Sequence, residues 1–265
     1  MKKLIGSIVG AALTLASMPG LTGDNASDDK SASRAYSPYV DQTHPNRVYW
    51  GDSHLHTSYS WDAGLVGNTL DPDAAYRFAK GEQVTASSGQ DVKLVRPLDW
   101  LVVADHAESL GVAVLIDRSD PAILESDVGR ETHDLYKKGE IHKAFETWGL
   151  NVIVGGNNPL TDENLTRSVW EEIVGFAEAH NQPGAFTAFI GYEWTSNTGG
   201  NNLHRVVMFR DGSDRTKQVI PYPGLGTAAE GLWDYMAAYA ESTGGEALAI
   251  PHNSNLSNGL MFEMT

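Results

Sequence analysis

The chain contains no cysteine. That absence excludes disulfide staples, thiolate-ligated zinc sites, a cysteine nucleophile and lipidation at a cleavage-site cysteine. Basic residues are scarce as well, with 19 Lys and Arg against 34 Asp and Glu and a net charge of −15. A surface of that sign cannot release counterions from nucleic acid and is not drawn to an anionic bilayer, so neither is expected as the main partner. A small anionic, phosphorylated substrate stays compatible, because bound divalent cations invert the local field inside an acidic protein. Long apolar runs are missing too. The stretch Leu4 to Leu15 has about a dozen residues, short of the ~20 that a membrane-spanning helix needs.

Lys2 and Lys3 before that stretch and small residues after it give the three-part form of an export signal, with cleavage expected between Ala16 and Gly23. We therefore expect a signal peptide over residues 1–23. A linker or surface strap rich in Ser, Asp, Asn and Pro follows over 24–47, and one folded domain over 48–265. A bacterial periplasmic or secreted protein, without a membrane anchor after cleavage, fits both the leader and the lack of cysteine. Removal of Lys2 and Lys3 would leave a charge of −17. Hydrophobic content of 41% and charged content of 20% are ordinary for a globular domain.

The expected fold class is α/β. Leu98–Ala104, Phe186–Ile190, Val206–Phe209 and Ala247–Ile250 read as short strands. Helices are expected over Ala74–Lys80 (Asp71 as N-cap, Pro72 in the first turn, Gly81 as the stop), Asp134–Trp148, Leu165–His180 and Ala228–Glu241. The β–helix–β order at the start makes a parallel sheet the default.

Chemistry-bearing residues gather beside the strands. His54 and His56 stand two apart, so at a strand end both imidazoles point the same way. Asp105 and His106 follow the run DWLVVA, Glu193 ends FTAFIGY, His204 precedes RVVMF, and His252 ends EALAIP. Neutral imidazole and carboxylate are the ligands that suit borderline divalent metals, and one carboxylate can bridge two ions. The other histidines, His44, His133, His142 and His180, have no such setting. Asn197–Asn202 contains glycine but lacks the strand-to-helix context of a phosphate loop, so a lid or hairpin turn is expected there. Trp61, Tyr192 and Trp194 flank the ligand candidates, either packing beside the strands or shaping an aromatic pocket.

Asp52-x-His54-x-His56-Thr57 with Ser60-x-Asp62 resembles the opening motif of the PHP (polymerase and histidinol phosphatase) superfamily. Ala104-Asp105-His106, Gly191-Tyr192-Glu193 and Pro251-His252-Asn253 resemble its later motifs. The phrasing from Tyr49 to Phe262 is most similar to an uncharacterised, secreted bacterial branch known as a domain of unknown function. The resemblance implies a distorted (β/α)7 barrel, incomplete at the C-terminus if the chain is a fragment. It also implies one to three Zn, Mn or Fe ions at the strand ends. By it, His54, His56 and Glu193 hold a first ion, Glu193 bridges to a second held with His204 and His252, and His106 or Asp105 serves a further position. The final Asp-x-His motif of that superfamily has no counterpart after His252, so either the chain is a fragment of a longer protein or its metal load is lower.

The activity so implied is a metal-dependent hydrolase, a phosphoesterase that turns an activated water on phosphate mono- or diesters. Asp105 and His106 are its catalytic candidates. Asp105 either orients His106 or takes the proton from the attacking water. Two alternatives stand beside it: a metal-dependent amidohydrolase or lactonase, and a secreted metal- or ligand-binding protein without turnover.

Overall fold

The computed structural model describes residues 47–262. The expected signal peptide, and the linker up to residue 46, lie outside the described residues. Strand β1 (Gly51–Leu55) leads into a short helix α1 (Trp61–Leu65) and then α2 (Pro72–Ala79). Helix α2 begins as its sequence dictates: the Asp71 carboxylate accepts the Ala74 amide at 2.9 Å, and Pro72, with no amide to strand, takes the first turn. A small hairpin, β2 (Val84–Thr85) with β3 (Asp91–Val92), precedes β4 (Trp100–Val103), which lies parallel to β1.

The middle of the chain is helical, with α3 (Val112–Asp117), α4 (Pro121–Leu124), α5 (Asp127–Lys137), α6 (Ile141–Trp148) and α7 (Glu163–His180). The one helix expected over Asp134–Trp148 is in fact two. Gly139 takes φ +78°, where its amide closes onto the Tyr136 carbonyl at 2.9 Å and ends α5. Fully buried Trp148 packs in an apolar cluster with Leu65, Val112, Ile116 and Ile123, and Trp170 packs in a second with Tyr192 and Phe209. Among the described residues no helix is long and apolar enough to cross a membrane.

After α7 the chain runs through β5 (Thr187–Phe189) and, past Ile190, β6 (Gly191–Trp194). The first half pairs parallel with β4. The second pairs antiparallel with β7 (Arg205–Phe209), which pairs antiparallel with β8 (Ala247–Pro251). Helices α8 (Ser213–Thr216) and α9 (Ala229–Thr243) lie between β7 and β8.

This is not the (β/α)7 barrel that the resemblance implies. The sheets are a parallel β1-β4-β5, an antiparallel β6-β7-β8 and the β2-β3 hairpin, and none closes into a barrel among the described residues. Connectivity gives the reason for β7. Only the loop 195–204 joins it to β6, and a strand that turns straight back without a crossover helix pairs antiparallel. The two larger sheets meet where the β4 exit passes β6. There the Glu193 amide donates to the Asp105 carbonyl and the Ala107 amide to the Glu193 carbonyl, each at 2.9 Å.

Gly191 makes that junction possible. A Cβ there would stand 2.5 Å from Val102 Cγ1 and 2.7 Å from the Val207 carbonyl oxygen. Gly191→Ala should therefore lower the unfolding free energy by about 1–3 kcal/mol in a urea titration, the usual cost of overpacking. An unchanged midpoint would show that β6 does not run this close to β4 and β7.

Candidate metal centre

Each side chain of the cluster is placed by a strand or by the turn just beyond one. His54 lies in β1 and His56 one residue past it, and their Nε2 atoms face each other at 2.9 Å. Glu193 sits in β6, pinned by the two backbone bonds at the sheet junction and 1% exposed. Its carboxylate divides its contacts. Oε2 lies 2.7 Å from His54 Nε2 and 2.9 Å from His56 Nε2. Oε1 lies 2.6 Å from His204 Nδ1 and 3.0 Å from His252 Nε2. His204 precedes β7 and His252 follows β8, so the antiparallel pairing of β7 with β8 brings their imidazoles to one carboxylate oxygen.

His106 enters from the β4 exit. Its Nδ1 is 2.7 Å from Thr195 Oγ1, 3.0 Å from Glu108 Oε1 and 3.8 Å from Glu193 Oε1, and its Nε2 is 3.5 Å from Asp62 Oδ2. Three overlapping groups have donor atoms close enough for one ion each: His54, His56 and Glu193; His56, Asp62 and His106; His106, Glu193 and His204.

The electrostatics follow from this crowding. Burial works to raise the Glu193 carboxyl, but His204, His252, His54 and His56 overcome it and hold the group far below the usual carboxylate range. Burial likewise opposes charge on His106, yet Glu108, Asp62 and Glu193 lift it well above the ordinary histidine range. Asp62 is held low by His106, Ser60 and His56 against its own desolvation.

The donor set fits a divalent metal. His54 Nε2, His56 Nε2 and Glu193 Oε2 form a triangle with every side at 2.9 Å or less. A proton serves one edge of such a triangle at a time, whereas a cation serves all three corners. Donors at ~2.1 Å from one ion and at right angles to each other stand about 3 Å apart.

The structure brings His54, His56, His106, Glu193, His204 and His252 together, and it directs Asp105 elsewhere. Both Asp105 oxygens are taken by Thr57, whose amide donates to Oδ1 at 2.5 Å and whose hydroxyl donates to Oδ2 at 2.7 Å. Burial nevertheless pushes the Asp105 carboxyl up to about 6. The residue clamps the exit of β1 to the exit of β4. Asp62, Glu108, Ser60 and Thr195 also meet the histidines, and none of them is among the ligands the resemblance implies. For Asp62 the signal was the Ser60-x-Asp62 element, and for Glu108 its place two residues after His106. Arg205 does not pair with Glu193; it lies between the rings of Trp194 and Trp233, 5.7 and 5.2 Å from their centroids.

With this geometry in place, a family model described as a protein of unknown function, DUF3604, matches residues 43–265. The chain belongs to the DUF3604 family. No curated protein and no solved structure matches it. The matched span includes every residue of the cluster.

Asp105→Ala removes both acceptors from the buried Thr57 amide and hydroxyl. It should cost about 1–3 kcal/mol of stability in chemical denaturation, the penalty for a buried polar group left unpaired. Wild-type stability in that variant would show that the clamp is not closed.

Proposed function

We propose that this DUF3604 chain is a metal-dependent hydrolase of phosphate esters that uses water as its nucleophile. The observation that carries the reading is the divided carboxylate of Glu193, with two histidines on each oxygen. His54 and His56 with Glu193 would hold one ion, and His204 and His106 with Glu193 a second, with His252 at 3.0 Å from the same Oε1. His106, with Asp62 and His56, supplies the donors for a further position. Ions of the Zn, Mn or Fe type so held lower the pKa of water and neutralise charge on a phosphoryl group.

The chain's own residues supply the rest. Nε2 of His106 and the Asp62 carboxylate face each other, and the Asp62 side chain is 39% exposed. With no ion at that further position, His106 Nε2 would hold a proton and the ionised Asp62 carboxylate would steer it. Asp105, bound through both oxygens, orients the β1 exit that carries His56. No lysine lies in or directly beside β1, β4, β6, β7 or β8, whereas barrel amidohydrolases place one among their ligands. The choice of phosphate mono- or diesters as the small anionic substrate, and the link to the PHP superfamily, rest on the motifs. Export to the periplasm or medium rests on the leader.

Purified protein should retain at least one Mn, Zn or Fe per chain by elemental mass spectrometry and hydrolyse bis(p-nitrophenyl) phosphate in a Mn-dependent way. His54→Ala with His56→Ala should lose the metal, and Glu193→Gln should reduce turnover to background. Normal metal content in the double variant would sink the assignment. Full metal with no hydrolysis of any phosphate ester would remove phosphate as the substrate.

A further inference from the structure

Ser60 occupies the N-cap of α1, with φ −77° and ψ 131°, yet its side chain makes no cap hydrogen bond. Serine at this position ordinarily spends its hydroxyl on the first free amides of the helix, and that bond stabilises by about 1 kcal/mol. Here the hydroxyl turns to the cluster instead. Ser60 is fully buried, so no solvent competes for it.

Its contacts use every hydrogen-bonding capacity a hydroxyl has. The Oγ lies 2.6 Å from Asp62 Oδ1, 2.9 Å from His56 Nδ1 and 3.3 Å from the His106 backbone nitrogen. A hydroxyl offers one proton and two lone pairs, and a carboxylate only accepts. The Ser60 proton must therefore go to Asp62. The His106 amide takes one lone pair, which leaves the other for His56 as an acceptor, so the proton of the His56 ring has to sit on Nδ1. In the neutral ring that a metal ligand must be, Nε2 of His56 then keeps its lone pair, at a position 2.9 Å from both His54 Nε2 and Glu193 Oε2.

From this saturated geometry we infer that Ser60 is a positioning residue that fixes the tautomer of His56 and aims its Nε2 at the metal position. It also ties together all three members of one donor group, His56, Asp62 and His106. The role rests on the proposed metal centre, because a tautomer needs fixing only where the opposite nitrogen must give its lone pair. Partners that orient a ligand in this way are worth roughly 10–100-fold in metal affinity. No cap bond is lost with the hydroxyl, but the buried His106 amide loses its partner, so Ser60→Ala lowers stability as well as metal affinity.

The test uses the whole chain labelled with 15N-histidine, zinc-free and zinc-loaded, with long-range 1H–15N correlation spectra and a chelator-competition titration. Wild-type His56 should carry a proton on Nδ1 in both states. Ser60→Ala should bind zinc about 10–100-fold more weakly while its zinc-free form still unfolds cooperatively, and Ser60→Thr, which keeps the hydroxyl, should restore affinity. An unprotonated Nδ1 on wild-type His56, or wild-type zinc affinity in Ser60→Ala, would overturn the inference. If the wild type binds no zinc, the proposed function fails. The zinc-free spectrum still decides the direction of the Ser60 bond, and it needs no folded variant.

Discussion

A carboxylate in the middle of a protein is the constraint around which this structure is arranged. Glu193 is 1% exposed, and an isolated charge so placed would cost several kcal/mol or give up its ionisation. It does neither, because ring nitrogens approach from four directions and hold it ionised. Those nitrogens come from the exits of β1 and β8 and from the residue before β7, while Glu193 itself belongs to β6. The carboxylate thus defines where two differently built sheets must meet. The close contact at Gly191 and the backbone bonds between β6 and the β4 exit serve that meeting point.

A second layer holds the histidines in usable orientations. Thr57 and Asp105 clamp two strand exits, Ser60 saturates its hydroxyl on His56, Asp62 and the His106 amide, and Thr195 with Glu108 engages His106 Nδ1. This division of labour suits metal chemistry, in which neutral imidazoles give lone pairs on one side and are steered by hydrogen bonds on the other. It is also compatible with the phosphate esters proposed as substrates of so acidic a chain, since ions at the cluster would supply the local positive charge that its composition lacks.

Much of the side-chain cluster was legible because the signals were local. The two-residue spacing of His54 and His56 follows from strand geometry, an acid closing an apolar run marked Glu193, and Asp71-Pro72 announced α2 by capping chemistry. Strand direction was not legible, because alternation of apolar residues looks the same in a parallel and an antiparallel strand. The motif resemblance pointed to a barrel, and the loop from Trp194 to Arg205 turned β7 the other way. The helix break at Gly139 was hidden inside a run with continuous helical spacing. Partners such as Thr195, 89 residues from His106, become visible only once tertiary structure sets them side by side.

The most direct test of the central claim is a crystal of the protein grown with manganese or zinc and measured on both sides of the metal's absorption edge. The account predicts anomalous density beside Glu193, with one peak among His54, His56 and Glu193 and a second among His106, Glu193 and His204. Anomalous density confined to the surface, with Glu193 still hydrogen-bonded directly to the four imidazoles at saturating metal, would contradict it.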